Sequence, residues 1–274
     1  MRVQLSSDDQ NHIIATAHRL ADAARFAILP HFRTSLTAQN KDASGYDPVT
    51  IADRAAEQAM REILAELRPQ DGIIGEEFGT SQGQSGIDWI LDPIDGTRAF
   101  ICGAPTWGVL IGVAIEGHVV YGIVDQPHIG ERFEGGFGRA QLSGPHGEMA
   151  LATRAARPLD QSVIMTTFPE VGTASERACF EHLAQRCLLV RYGMDCYAYM
   201  LLALGQIDYV MEAGLNSYDI AGPIGVIEAA GGVVRSWSGC TAVGGGRVLA
   251  ASNQEMLDQA LRSLAPMLER DEAQ

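Results

Sequence analysis

The stretch Trp89-Ile90-Leu91-Asp92-Pro93-Ile94-Asp95-Gly96-Thr97-Arg98 decides how the rest of the chain is read. Trp89 to Leu91 predict a buried strand that runs into Asp92. Pro93 cannot donate to a central ladder and Asp95-Gly96 asks for a tight turn, so the strand is expected to end at Pro93. Two carboxylates are then held close together at a strand end. Beside them, Gly96 lets backbone N–H groups approach an anion with no Cβ in the way, and Thr97 adds a hydroxyl. Taken alone, D-x-x-D-G also describes a solvent-facing turn.

Working outward, Asp8 to Leu29 has helical periodicity, with Ile13, Ala17, Leu20, Ala24 and Ile28 on one face and Pro30 as its stop. A polar loop, Thr34 to Tyr46, leads to a second helix near Thr50, where Thr50 and Asp53 have capping-box spacing. Its buried stripe is expected at Ala56, Met60, Ile63 or Leu64, and Leu67. Ile73-Ile74 is a short strand. Val109–Ile115, Val119–Val124 and Glu131–Phe133 read as successive antiparallel strands, with Gly117-His118 as a hairpin turn. The glycine-rich segment Gly135 to Gly147 reads as a seam, dividing an N-terminal α+β lobe (1–142) from a C-terminal α/β lobe (143–274) within one compact unit. Beyond it strands at 162–165, 188–191, 207–212, 233–237 and 247–251 alternate with helices at 175–185, 195–204, 217–230 and 254–268. Helices, a mostly antiparallel sheet, then alternating β and α imply stacked layers of mixed α+β class.

Composition narrows the function. The 274 residues are 46% hydrophobic and 20% charged, an ordinary globular balance. Twenty Lys+Arg against 34 Asp+Glu leave a net charge of −14 with no basic run, so neither nucleic acid nor a membrane surface is an expected partner. The most apolar stretch, Trp107 to Ile115, is far short of the ~20 residues that span a bilayer. No signal peptide is read at the N-terminus, and the scattered Cys102, Cys179, Cys187, Cys196 and Cys240 read as reduced thiols of a cytoplasmic protein, Cys102 as a small buried hydrophobe.

Three more acidic segments join the first. Gly75-Glu76-Glu77 follows a short strand, Asp53 stands at a helix start, and Tyr218-Asp219-Ile220-Ala221 opens a later helix. Each alone is also an ordinary helix cap or turn. Several carboxylates converging in one pocket could not all ionise without cations, and hard oxygen ligands of this kind suit Mg²⁺.

In this order and at these distances the four segments resemble the inositol monophosphatase family of Mg²⁺-dependent phosphomonoesterases. The signature D-P-[IL]-D-G-T stands as Asp92 to Thr97, and the second signature as Tyr218-Asp219-Ile220-Ala221-Gly222, with Tyr218 in place of Trp. Glu228 to Gly232 completes the likeness, which covers roughly Asp8 to Ser252. The resemblance implies a layered αβαβα sandwich of the inositol monophosphatase and fructose-1,6-bisphosphatase type, and a homodimer. It implies two or three Mg²⁺ per subunit: Glu76, Asp92 and the Ile94 carbonyl for a first, Asp92, Asp95 and Asp219 for a second, and Glu76 through water for a third. It further implies that Thr97, oriented by Asp53, helps deprotonate the attacking water, and that the Gly96 and Thr97 amides bind phosphate oxygens. Lys41 is a candidate metal-supporting basic residue on the polar loop, and Pro223 is expected in the first turn of the late helix.

The string Tyr192-Gly193-Met194-Asp195-Cys196-Tyr197-Ala198-Tyr199, with Asp95-Gly-Thr-Arg-Ala-Phe-Ile-Cys-Gly103, resembles the histidinol-phosphate phosphatase branch of that family. Asp195 and Glu212 are expected to pair with the substrate amine, with Tyr192 and Arg191 on the same wall and tyrosines flanking the ring. The alternative reading of Tyr197 and Tyr199 is core aromatics, and that of Asp195 a helix cap. Inositol 1-phosphate or another small phosphate ester is the alternative substrate. A regulatory, partner-binding protein is the alternative of another class.

Overall fold

The computed structural model describes residues 5–35, 39–40 and 48–272. Lys41 lies outside them. Helix α1 (Ser7–Ile28) buries all five residues of the expected apolar face, and a capping box between Ser6 and Asp9 starts it. Strands β1 (Gln39–Asn40) and β2 (Pro48–Val49) pair antiparallel ahead of helix α2 (Ile51–Leu67). Thr50 and Asp53 form the expected capping box there, with the Thr50 N–H donating to Asp53 Oδ2 at 2.8 Å. The buried face of α2 is not wholly apolar: Asp53 and Glu57 lie on it beside Ala56, Met60 and Leu64.

Strands β3 (Gly72–Gly75), β4 (Gly79–Ser81) and β5 (Ile87–Asp95) follow. After helix α3 (Thr97–Cys102) come β6 (Gly108–Ile115), β7 (His118–Gln126), β8 (Glu131–Gly136), β9 (Arg139–Gly144) and β10 (Gly147–Ala150). These make an eight-stranded sheet in the order β10-β9-β8-β7-β6-β5-β3-β4, antiparallel except where β3 runs parallel to β5. Strand β5 does not stop at Pro93. It continues to Asp95 through a register shift between Asp92 and Asp95, and that irregularity removes the need for a ladder N–H at the proline. The β6–β7 turn is Glu116-Gly117, one residue before the expected pair, with φ of 49° and 77° that fit a two-residue primed turn.

The segment 135–147, expected as a seam, is largely strand. The eight-stranded sheet runs on to Ala150, and the next strand begins at Val163. β11 (Val163–Thr166), α4 (Ala174–Ala184), β12 (Leu189–Tyr192), α5 (Asp195–Ala203), β13 (Tyr209–Leu215), α6 (Ser217–Ala229), β14 (Val233–Ser236), β15 (Gly246–Ala251) and α7 (Gln254–Glu272) complete the chain. They build a five-stranded mixed sheet, β12-β11-β13-β15-β14.

Five layers result. α1 and α2 cover one face of the large sheet, α5 and α6 fill the space between the two sheets, and α4 and α7 cover the far face of the small one. This is the αβαβα sandwich expected from the sequence. The central layer is set by a row of cross-strand glycines, Gly112, Gly122 and Gly135 on β6, β7 and β8. A Cβ on Gly122 would stand 2.2 Å from the Gly222 carbonyl oxygen, and one on Gly135 2.4 Å from that of Gly225, so α6 lies directly on the sheet backbone. Pro223 is in the interior of α6, not its first turn, where it has no N–H to give to the helix ladder.

Candidate active site

Three segments meet at the carboxyl end of β5. Asp92 and Asp95 come from the irregular end of that strand, Glu76 from the turn after β3, and Asp219 from the first turn of α6. They line one cleft of about 270 Å³ together with Ile94, Gly96, Thr97, Asn216 and Tyr218. Carboxylate oxygens of Asp92, Asp95 and Asp219 all lie within 4.8 Å of one another. The structure thus brings together every acidic residue to which the sequence assigned a metal.

Local bonds fix each donor. The Ile94 N–H donates to Asp92 Oδ1 at 3.0 Å. The Cys196 N–H at the start of α5 donates to Asp95 Oδ2 at 2.8 Å, across the two sheets. The Asn216 N–H donates to Asp219 Oδ2 at 2.6 Å as the cap of α6. The Thr97 hydroxyl donates to the Ile94 carbonyl at 3.1 Å, and that oxygen keeps a second lone pair. Asp53 is buried at the start of α2, accepts from the Thr50 hydroxyl at 2.5 Å, and is not among the residues lining the cleft.

Burial holds the carboxyl of Asp92 well above its ordinary acidity range, and the charges of Glu76, Asp95 and Asp219 push it further. Asp95 is raised by burial and by Asp219 and Asp195, against the opposing bond from Cys196. An all-oxygen donor set, closely spaced and mutually repelling, fits divalent Mg²⁺, which would let all of the carboxylates ionise.

A second cavity of about 260 Å³ opens from the first, sharing Asp95, Gly96, Thr97 and Asp219. Its far wall holds Asp195, Cys196, Tyr199, Glu212, Thr167 and Phe168, and among the described residues Arg98 is its one basic lining residue. Asp195 adopts φ 47°, a left-handed conformation that Asp tolerates better than most residues, and accepts from the Thr106 hydroxyl at 2.5 Å. Gly96 faces it: a Cβ there would stand 2.9 Å from Asp195 Cβ and Cγ. Glu212 accepts from the Thr166 hydroxyl at 3.0 Å and the Thr167 N–H at 2.7 Å, yet burial still lifts its carboxyl to about 7. Burial also raises Asp195. Neither carboxylate is ion-paired among the described residues.

Two expected wall residues are elsewhere. Arg191 and Tyr192 sit on β12, the edge strand of the small sheet, where both are exposed and neither lines the pocket. The Tyr192 ring packs on Phe180 at 6.1 Å between centroids. Tyr197 also turns away, its hydroxyl donating to Glu131 at 2.5 Å, so Tyr199 is the tyrosine of that string on the pocket wall. Cys102 is exposed, not buried, at the end of α3. In their place Phe168 carries the aromatic surface, with the Arg98 guanidinium 5.0 Å from its ring centroid. Sequence reading missed Phe168 and Arg98 as individual wall residues, and Thr106 as the donor that holds Asp195, because they come from separate parts of the chain with no shared spacing to reveal them.

The geometry agrees with what the chain is similar to. The sequence profile described as the inositol monophosphatase family matches residues 9–268. The bifunctional phosphatase IMPL2, chloroplastic, of Arabidopsis thaliana is 37% identical over 273 residues, covering 95% of this chain and 77% of the relative. The histidinol-phosphatase of Chlorobaculum parvum is 33% identical over 243 residues, covering 88% and 92%. Among solved structures, an inositol monophosphatase from Zymomonas mobilis superposes with a TM-score of 0.82 at 38% identity, covering 95% of this chain and all of that one.

Proposed function

The chain belongs to the inositol monophosphatase family and is a phosphoric monoester hydrolase, and from that premise we propose that it hydrolyses histidinol phosphate to histidinol and phosphate. One observation carries the choice of substrate. Asp195 and Glu212 are two part- or fully buried carboxylates with no ion pair among the described residues, on the pocket wall next to the acidic cluster. A substrate that brings its own ammonium group relieves their desolvation, whereas a neutral polyol leaves it standing. The histidinol-phosphatase relative adds to this reading, and the Phe168 ring and Tyr199 offer surfaces for a planar imidazole.

Two or three Mg²⁺ at Glu76, Asp92, the Ile94 carbonyl, Asp95 and Asp219 would supply charge neutralisation of the phosphate and acidification of water. The residues do the remaining work. Glu76 and Thr97 orient and deprotonate the attacking water, Asp53 supports Thr97, and the Gly96 and Thr97 N–H groups receive the phosphate oxygens in the turn at the end of β5. Alignment and charge stabilisation are the main requirements of such a transfer, so no covalent nucleophile is assigned. Five cysteines scattered through the fold favour a reducing, cytoplasmic setting.

The test is phosphate release in Mg²⁺ from histidinol phosphate, inositol 1-phosphate, fructose 1,6-bisphosphate and 3′-phosphoadenosine 5′-phosphate, with and without EDTA. The expected result is the highest kcat/KM on histidinol phosphate, with Asp195→Ala losing far more on that ester than on an aryl phosphate. Faster turnover of inositol 1-phosphate, with equal losses for Asp195→Ala on both esters, would refute the assignment.

A further inference from the structure

The acidic ligands of the site are unequally supported. Asp92 and Asp95 end a strand of the central sheet, and Asp219 stands on a helix seated directly on that sheet. Glu76 comes from the turn between β3 and β4, at the sheet edge, and all three residues of β4 are exposed.

Besides the bond from the Glu76 N–H to the Leu91 carbonyl at 3.2 Å and the Arg54–Glu77 ion pair at 3.8 Å, a pair of side chains ties that turn down. Glu57 is fully buried on α2, and its carboxylate accepts from the backbone N–H of Glu77 at 2.7 Å and of Phe78 at 3.2 Å. Those are the two residues that follow Glu76. Arg61, one helical turn further on, donates to Glu57 Oε1 at 2.7 Å. The same guanidinium donates to the Gly79 carbonyl and, at 3.1 Å, to the Ser81 hydroxyl, and lies 6.0 Å from the Phe78 ring centroid. Gly75 makes room for the pair: a Cβ there would stand 2.0 Å from Glu57 Oε1 and 2.7 Å from Arg61 Nη2. A buried carboxylate that takes two amides and a guanidinium is fully employed, so the geometry it imposes on the turn is stiff.

We infer that Glu57 and Arg61 are positioning residues that staple the Glu76 turn to α2 and thereby set the affinity of the site for its divalent cation. Asp53, Glu57 and Arg61 fall at successive i, i+4 positions and so share one face of α2. The inference rests on the reading of Glu76 as a metal ligand. Neither staple residue lines the cleft, so their effect must pass through the backbone at 76–78.

The probe is Mn²⁺, titrated into the apo protein and followed by electron paramagnetic resonance, with circular dichroism to verify folding. Glu57→Gln keeps the shape but turns an N–H₂ towards a backbone donor. It is expected to weaken Mn²⁺ binding about tenfold or more, the usual scale for losing a partner behind a metal ligand. Turnover should return towards the wild-type kcat when metal is saturating. Arg61→Lys keeps the charge and loses the fork, and should move affinity in the same direction by a smaller factor; it carries the test if Glu57→Gln does not fold. A folded variant with wild-type Mn²⁺ affinity, or one whose kcat stays low at saturating metal, overturns the staple alone. A wild-type protein that binds no Mn²⁺ overturns the metal reading and the staple together.

Discussion

Replacing Asp92 by Asn should stabilise the metal-free protein while abolishing its activity. Asp92 is 2% exposed, and its carboxylate lies within 4.8 Å of oxygens of Asp95 and Asp219. At that separation a like-charge pair costs about 3.5 kcal/mol for an effective dielectric of about 20. Protonation of the cluster already relieves part of this, as the raised acidities of Asp92 and Asp95 indicate. Removing one charge should therefore return about 1–3 kcal/mol, not the sum over all pairs. The amide keeps an oxygen to accept the Ile94 N–H, so little is lost in shape. For a chain of this size the Tm in EDTA should rise by roughly 2–6 °C.

The pH dependence has a definite sign. The folded state holds these carboxyl protons more tightly than the unfolded chain does. The associated stability is fully present below the ordinary carboxylate range near 4 and is lost as pH rises through the raised folded-state values. In EDTA the wild-type Tm should fall with rising pH, and that of Asp92→Asn should fall less. Mg²⁺ at a thousand times its Kd adds about 4.1 kcal/mol to the wild type and should reverse the order of the two proteins. Differential scanning fluorimetry from pH 5 to 8, with Mg²⁺ or EDTA, reads all of this in one plate. A variant no more stable than wild type in EDTA, or one with wild-type turnover, would refute the argument that these carboxylates repel one another around a cation site.

Three further outcomes are expected. With Glu212 titrating at about 7, KM for an ester bearing an ammonium group should fall as pH rises through 7, because only the ionised carboxylate pairs with it, and Glu212→Gln should flatten that profile in steady-state assays. Gly96→Ala forces a Cβ into a φ of 81° and to within 2.9 Å of Asp195, so kcat/KM should drop about tenfold to a hundredfold while circular dichroism stays unchanged. Asp208 is fully buried, accepts from the Val163 N–H at 2.8 Å and pairs with Arg154 at 3.1 Å; Asp208→Ala should cost about 3–5 kcal/mol in chemical denaturation and leave kcat at 25 °C intact.

What the sequence made legible, and what it hid, follow from one physical distinction. Local periodicity and capping are written in neighbouring residues, so α1, α2 and the Thr50–Asp53 box stand where the pattern places them. Carboxylates at strand ends and helix starts are equally local, and the fold brings oxygens of Asp92, Asp95 and Asp219 to within 4.8 Å of one another. Readings that depend on what packs across a layer had no such signal. The glycines between 135 and 147 suggest a flexible seam by composition, yet Gly135 is one of three cross-strand glycines against which α6 lies. Glu57 carried a readable sign, its i, i+4 relation to both Asp53 and Arg61, but a carboxylate on a helix is ordinarily solvated. Arg191 and Tyr192 have residue types suited to a substrate wall, and only the position of β12 at the sheet edge removes them from it. The same glycine row links the two kinds of information. A side chain at Gly122 would lift α6 from the sheet, and Asp219 would move with it, out of reach of a cation shared with Asp92 and Asp95. The depth of the acidic cluster is therefore set by the absence of atoms at positions whose local sequence says nothing about metals.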